Sequence, residues 1–195
     1  MKSSLAIILL ITPVLTSADT LCTCTTQACP VEGENLQIVG AANNTATYTY
    51  KLNENDIPVV KSATVKITKD DLGMGSGTTS CTTSYARAME DDGLDNVDAG
   101  HILAHNLGGP GNAPNNIFPQ ALHYNRGQYA QYEENIFACL DPDSTSNPAE
   151  SVLLSWAFSY NDTKSTQPHS VTYTSEYQGG ECKDLVTEFP NTYYA

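Results

Sequence analysis

Basic residues are scarce in this chain: nine lysines and arginines stand against 22 aspartates and glutamates, a formal net charge of −13. That balance excludes a protein that coats nucleic acid or an anionic membrane through bulk electrostatics. It does not exclude an enzyme that meets a polyanion at one local site. Long apolar runs are also missing beyond the N-terminus, where Leu5 to Leu15 spans eleven residues and contains Pro13; a membrane-spanning helix needs about 20. Nor is this a disordered acidic tail, since only 16% of residues are charged, 40% are hydrophobic and 11 are tyrosines. The 195 residues suit one domain with a sizeable core, and no internal repeat or linker divides them.

Lys2, the apolar run and the small residues Thr16, Ser17 and Ala18 make the n-region, h-region and cleavage pattern of a secretory signal. The expectation is a signal peptide at 1–18 and a single secreted domain at 19–195. Removing 1–18 takes away Lys2 and no acid, so the mature charge is −13 − 1 = −14. The cysteines Cys22, Cys24, Cys29, Cys81, Cys139 and Cys182 are even in number, which in an exported chain points to three disulfides and no free thiol. Their pairing is left open. A metal knuckle at Cys22, Cys24 and Cys29 lacks a nearby fourth ligand. Two glycosylation sequons, Asn43-Asn44-Thr45 and Asn161-Asp162-Thr163, fit the same compartment and expect surface positions.

Period-2 alternation marks strands. Ala46, Tyr48, Tyr50 and Leu52 share one parity, and Val59 to Thr68 is a β-branched run that ends at Asp70-Asp71 and a Gly-rich turn. Val152 to Tyr160, then Val171 to Tyr177 after the polar loop 161–168, read as an antiparallel hairpin. Between these sets, Tyr129, Tyr132 and Ile136 recur at helical spacing within a helix expected from about Asn125 to Ala138. The expected fold class is α+β, a mainly antiparallel sheet with one long central helix.

The stretch 94–140 crowds polar residues that ignore the alternation: Asp98, His101, His105, Asn106, Asn115, Asn116, Gln120, His123, Asn125, Arg126 and Glu133. Imidazoles take protons near neutral pH, and amide and carboxylate oxygens suit hard divalent cations, so the mixture suits metal-assisted hydrolysis. His101 and His105 have the i, i+4 spacing of a helical zinc pair. Ile102, Leu103 and Ala104 between them supply no general-base Glu, and Gly100 and Gly108-Gly109 argue against a long helix. A core or hydrogen-bonding role suits His105 better.

A second arrangement is more specific. Asp98-Ala99-Gly100-His101, Asn116-Ile117-Phe118-Pro119-Gln120, Asn125-Arg126-Gly127 and Glu133 together resemble the motif series of the DNA/RNA non-specific endonucleases. The likeness is strongest to the branch found in secreted bacterial toxins, with its similar run at 100–109, Gly-His-Ile-Leu-Ala-His-Asn-Leu-Gly-Gly. It covers 94–137 closely and the hairpin 151–177 more loosely. The resemblance implies a ββα-metal motif with His101 as general base and Asn125 as the one direct protein ligand of Mg²⁺; the choice of Mg²⁺ over Mn²⁺ is left open. It implies Glu133 holding a water of the ion's hydration shell, Asn116 fixing the His101 region or the scissile phosphate, and products with 5′-phosphate ends.

General chemistry agrees with these roles. Mg²⁺ dehydrates reluctantly and is usually held by few protein oxygens. Residues eight apart on a helix differ by about 80° in direction, so Asn125 and Glu133 would overlook one site. Many family members carry Arg where this chain has Ala99, so Arg87 or Arg126 is expected to supply the phosphate-binding cation. The expected function is a secreted, Mg²⁺-dependent endonuclease acting on DNA and RNA without sequence specificity. With few basic residues there is no groove-reading motif. The alternative is an extracellular binding module on a nuclease fold that has lost activity.

Overall fold

The computed structural model describes residues 22, 24, 29–91 and 97–192; the expected signal segment 1–18 lies outside them. A six-stranded antiparallel sheet forms the frame. Its strands are β1 (Gly33–Val39), β2 (Asn44–Leu52), β3 (Pro58–Ile67), β6 (Ser151–Ser159), β7 (Ser170–Gln178) and β8 (Leu185–Pro190), in that spatial order. A separate hairpin pairs β4 (Val97–His101) with β5 (Ile117–Ala121). Among the described residues the α-helices are α1 (Ser80–Ala88), α2 (Leu122–Asn125) and α3 (Gln128–Leu140).

The sheet has one dry face and one wet face. Tyr48, Val65, Leu154, Trp156 and Tyr173 are buried in the main core, whereas Thr47, Thr64, Ser155 and Thr174 are cross-strand neighbours in one row on the opposite face. Alternation of this kind is what an antiparallel sheet covered on one side requires. Helix α3 supplies the cover through Tyr129, Tyr132, Ile136 and Leu140, all buried. Trp156 donates its indole N–H to the Tyr129 hydroxyl at 3.0 Å, fastening helix to sheet. The resulting architecture is α+β and mainly antiparallel.

The helical stretch over 122–140 comes in two pieces. Arg126 and Gly127 separate them, and Gly127 (φ −118°, ψ −112°) lies outside helical geometry. Asn125 and Glu133 therefore sit on different helices, and the single-helix arithmetic for their relative direction does not apply.

Three disulfides join Cys22 to Cys29, Cys24 to Cys81, and Cys139 to Cys182, and no free cysteine remains. A metal knuckle at the first three cysteines is thereby replaced by disulfide bonds. The second bridge ties the N-terminal segment to the first turn of α1. Asn43 and Asn161, the two sequon asparagines, are both exposed.

Candidate active site

The β4–β5 hairpin carries the site, and the large sheet holds it in place. Tyr50 donates its hydroxyl to the Asn115 carbonyl at 3.1 Å, and Tyr48 donates to Asn116 Oδ1 at 2.8 Å. Asn116 is fully buried. Its Oδ1 also accepts the Leu103 N–H at 2.9 Å, while its Nδ2 donates to the carbonyls of Leu103 at 2.9 Å and Pro110 at 3.2 Å. One amide thus fills both donor and both acceptor positions and staples the loop 102–110 to the hairpin. The Gly-Gly of that loop has a steric reason: a Cβ on Gly109 would lie 1.7 Å from the Leu103 carbonyl oxygen.

His101 ends β4, opposite Ile117. Its Nε2 lies 3.0 Å from the backbone carbonyl oxygen of Ser76. A carbonyl only accepts, so Nε2 carries the proton and Nδ1 keeps its lone pair. Ser76 is itself fixed, since its N–H donates to Gly109 O at 3.0 Å and its Oγ accepts from the Gly111 N–H at 3.0 Å. Burial lowers the His101 pKa below the usual imidazole value; the Ser76 bond opposes that shift, and the nearby His105 adds to it. The two imidazole centroids are 5.9 Å apart. His105 lies in a short 3₁₀ turn with its side chain exposed rather than in the core. No single helix carries both rings, and among the described residues no group of three His, Cys, Asp or Glu is arranged to hold a metal.

Asn125 closes α2. Its Nδ2 donates to Asp98 Oδ2 at 2.9 Å, and Arg126 donates to the same carboxylate twice, Nε to Oδ2 and Nη2 to Oδ1, each at 2.8 Å. Burial alone would raise the Asp98 pKa, but the hydrogen bonds from Arg126 and Asn125 outweigh it and hold the carboxyl below its usual range. Asp98, Ala99, His101 and Asn125 line one open cleft of about 340 Å³ together with Thr83 and Arg87 of α1. The structure therefore brings His101, Asn125 and Arg87 together.

Asn116 and Glu133 do not line that cleft. Glu133, on α3, has a carboxyl oxygen that is buried without a hydrogen-bond partner, and burial pushes its pKa well up. A hard divalent cation takes oxygen donors and retains water. An Asn125 amide whose nitrogen is committed to Asp98 leaves its oxygen for such an ion. Two residues that shape the site have no role in the reading of the sequence. Asp98 was legible only as a motif letter. Ser76 acts through its backbone carbonyl, which no side-chain pattern announces.

Comparison with known proteins agrees with the fold. A family model described as DNA/RNA non-specific endonuclease matches residues 39–179. The probable deoxyribonuclease RhsA of Dickeya dadantii (strain 3937) is 36% identical over 122 residues, which are 63% of this chain but only 8% of that protein. Among solved structures, NucA from Streptococcus agalactiae with no metal bound superposes with a TM-score of 0.52 at 14% identity, covering 83% of this chain and 77% of NucA. The same nuclease with a magnesium ion bound gives 0.51 at 14% identity, covering 82% and 85%. At that identity the likeness concerns the fold. With the family model spanning most of its length, this chain belongs to the DNA/RNA non-specific endonuclease family.

Proposed function

We propose that this protein is a secreted, divalent-cation-dependent endonuclease that hydrolyses phosphodiester bonds of DNA and RNA without sequence preference. The observation that carries the reading is the single cleft lined together by His101, Asn125 and Arg87. Membership of the family, the deoxyribonuclease relative and the magnesium-bound NucA structure support it. Three disulfides support an oxidising destination.

His101 Nδ1 takes the proton of the attacking water, and the Ser76 carbonyl, accepting from Nε2–H, keeps that tautomer and steadies the charged ring afterwards. Asn125 Oδ1 would hold Mg²⁺, or Mn²⁺ in its place. When bound, the cation supplies charge stabilisation at the phosphate and the leaving oxygen. Asp98 orients the Asn125 amide, and Glu133 offers a buried acceptor to water around the ion. Asn116 acts from behind the cleft by fixing the loop that follows His101. Arg87 binds the phosphate from α1, in the role many relatives give to an arginine at the position of Ala99. The acidic surface weakens attachment to a polyanion and makes it salt-sensitive, which a degradative enzyme that must release its products tolerates.

Plasmid DNA and a structured RNA, incubated with purified protein in Mg²⁺ and in EDTA, test the reading. Nicking in Mg²⁺ alone, lost in His101→Ala, is expected. Intact plasmid under every divalent cation would instead favour a binding module that has lost catalysis.

A further inference from the structure

We infer that Arg126 is a positioning residue for the cation site: by clamping Asp98 it holds the Asn125 carboxamide with its oxygen toward the cleft, rather than gripping substrate. The inference rests on Asn125 as the cation ligand. Arg126 spends Nε and Nη2 on the two oxygens of Asp98 at 2.8 Å each. A forked pair of this kind fixes the plane of the carboxylate as well as its position. Asp98 Oδ2 then accepts a third hydrogen bond, from Asn125 Nδ2 at 2.9 Å. An amide turned by 180° would face its oxygen to that carboxylate and present an NH₂ group to the cation. The clamped carboxylate selects against this arrangement.

Local structure explains why the residue next to the ligand does this work. The chain leaves helical geometry at Gly127, immediately after Arg126, and the Arg126 N–H still closes α2 by donating to Leu122 O at 3.1 Å. The side chain is thereby free to fold back over β4, where Asp98 sits opposite Gln120. The Arg126 side chain is 64% exposed and that of Asp98 only 19%. An exposed ion pair contributes little to folding, so a stability role does not account for the geometry. Orientation of the amide does.

The test measures cation binding without nucleic acid, by Mn²⁺ electron paramagnetic resonance on the purified protein, together with KM for plasmid DNA at saturating cation. Arg126→Ala is expected to weaken Mn²⁺ binding by about 10-fold or more, within the range for residues that orient a metal ligand, with KM unchanged. Arg126→Lys, which cannot fork, should fall between the two. In an Asp98→Asn background the Arg126→Ala loss should vanish, because both changes break one linkage. Unchanged Mn²⁺ binding in Arg126→Ala, beside lost binding in Asn125→Ala, would overturn the positioning role and leave the ligand in place. A raised KM with intact Mn²⁺ binding would return Arg126 to substrate contact. Unaltered Mn²⁺ binding in Asn125→Ala would instead remove the ligand reading itself.

Discussion

His101 Nε2 lies 3.0 Å from the carbonyl oxygen of Ser76, and this contact decides which ring nitrogen is free to act as a base. The decision is made by a backbone atom of a segment 25 residues earlier in the chain. That segment is held in turn by the Gly109 carbonyl and the Gly111 N–H of the loop following His101. Removing the imidazole in His101→Ala should lower the rate by about 10²–10⁴-fold, the usual contribution of a general base. Circular dichroism and thermal unfolding should be little changed, because the ring is not part of the main core. A variant that degrades plasmid at near the parental rate would show that the base lies elsewhere.

The pH profile follows from the same ring. Burial depresses the His101 pKa, and only the neutral form can accept a proton. The fraction of active enzyme therefore rises with pH through the depressed pKa, and the acid limb of kcat/KM should have its midpoint below about 6.5, the ordinary imidazole value. The acid limb thus lies lower than the unperturbed imidazole range suggests. A midpoint above 7 would contradict the burial that the structure assigns to this residue.

Asn116 is expected to behave as a fold residue whose loss also costs activity. Its buried amide makes four side-chain hydrogen bonds, to Tyr48, Leu103 (twice) and Pro110. Each buried partner left unsatisfied costs about 1–3 kcal/mol, so Asn116→Ala should destabilise the protein by about 3 kcal/mol or more. Asn116→Asp should be no better, because a carboxylate would face the Leu103 and Pro110 carbonyls with no hydrogen to donate. Urea unfolding checks both variants. If the aspartate variant keeps parental stability, the amide is not the staple described here.

Much of this arrangement could be read from the residues alone, and the exceptions have physical causes. Strands β2, β3, β6 and β7 announce themselves because their apolar parity faces the core. Strand β1 does not, since Leu36 and Ile38 point to solvent. Helix α1 begins Ser-Cys-Thr-Thr, a poor helix-forming run. It is held by reciprocal capping between Thr79 and Thr82 and by the Cys24–Cys81 bridge. Both supports are invisible to periodicity. That His101 and Asn125 share one cleft was legible from the motif series, whereas the break at Gly127 was not, because a lone glycine in a helical pattern is often tolerated.

Glu133 should show a conflict between stability and function. Burial raises its carboxyl pKa well above the usual range, so the folded protein keeps a proton that the unfolded chain releases above about pH 4.3. With more protons bound in the folded state, stability falls as pH climbs from that value toward the raised pKa. Glu133→Gln removes the penalty and should stabilise the cation-free protein at pH 8 by about 1–3 kcal/mol, while changing little at pH 4 and lowering Mg²⁺-dependent activity. Thermal melts in EDTA at the two pH values decide the matter. A glutamine variant less stable than its parent at pH 8 would mean that the carboxylate is well satisfied in solution.

The Cys24–Cys81 bridge should matter to both stability and catalysis, more than Cys22–Cys29 does. It spans 57 residues of sequence against 7, and chain entropy assigns about 4 kcal/mol to the longer loop and about 2.5 to the shorter. The longer bridge also anchors the start of α1, the helix that brings Thr83 and Arg87 to the cleft. Tyr85 and Ala86 on the same helix, with Met89 just beyond its end, pack with Val59 and Ile117 in a small second core, so loosening the first turn should shift the cleft-lining residues rather than unfold the helix. Replacing both Cys24 and Cys81 by serine should therefore lower the urea midpoint and raise KM for DNA, with the acid limb set by His101 unchanged. The corresponding pair of changes at Cys22 and Cys29 should show the smaller loss. If KM holds while stability drops by the expected amount, α1 keeps its place without the bridge, and its packing on the β4–β5 hairpin alone positions Arg87.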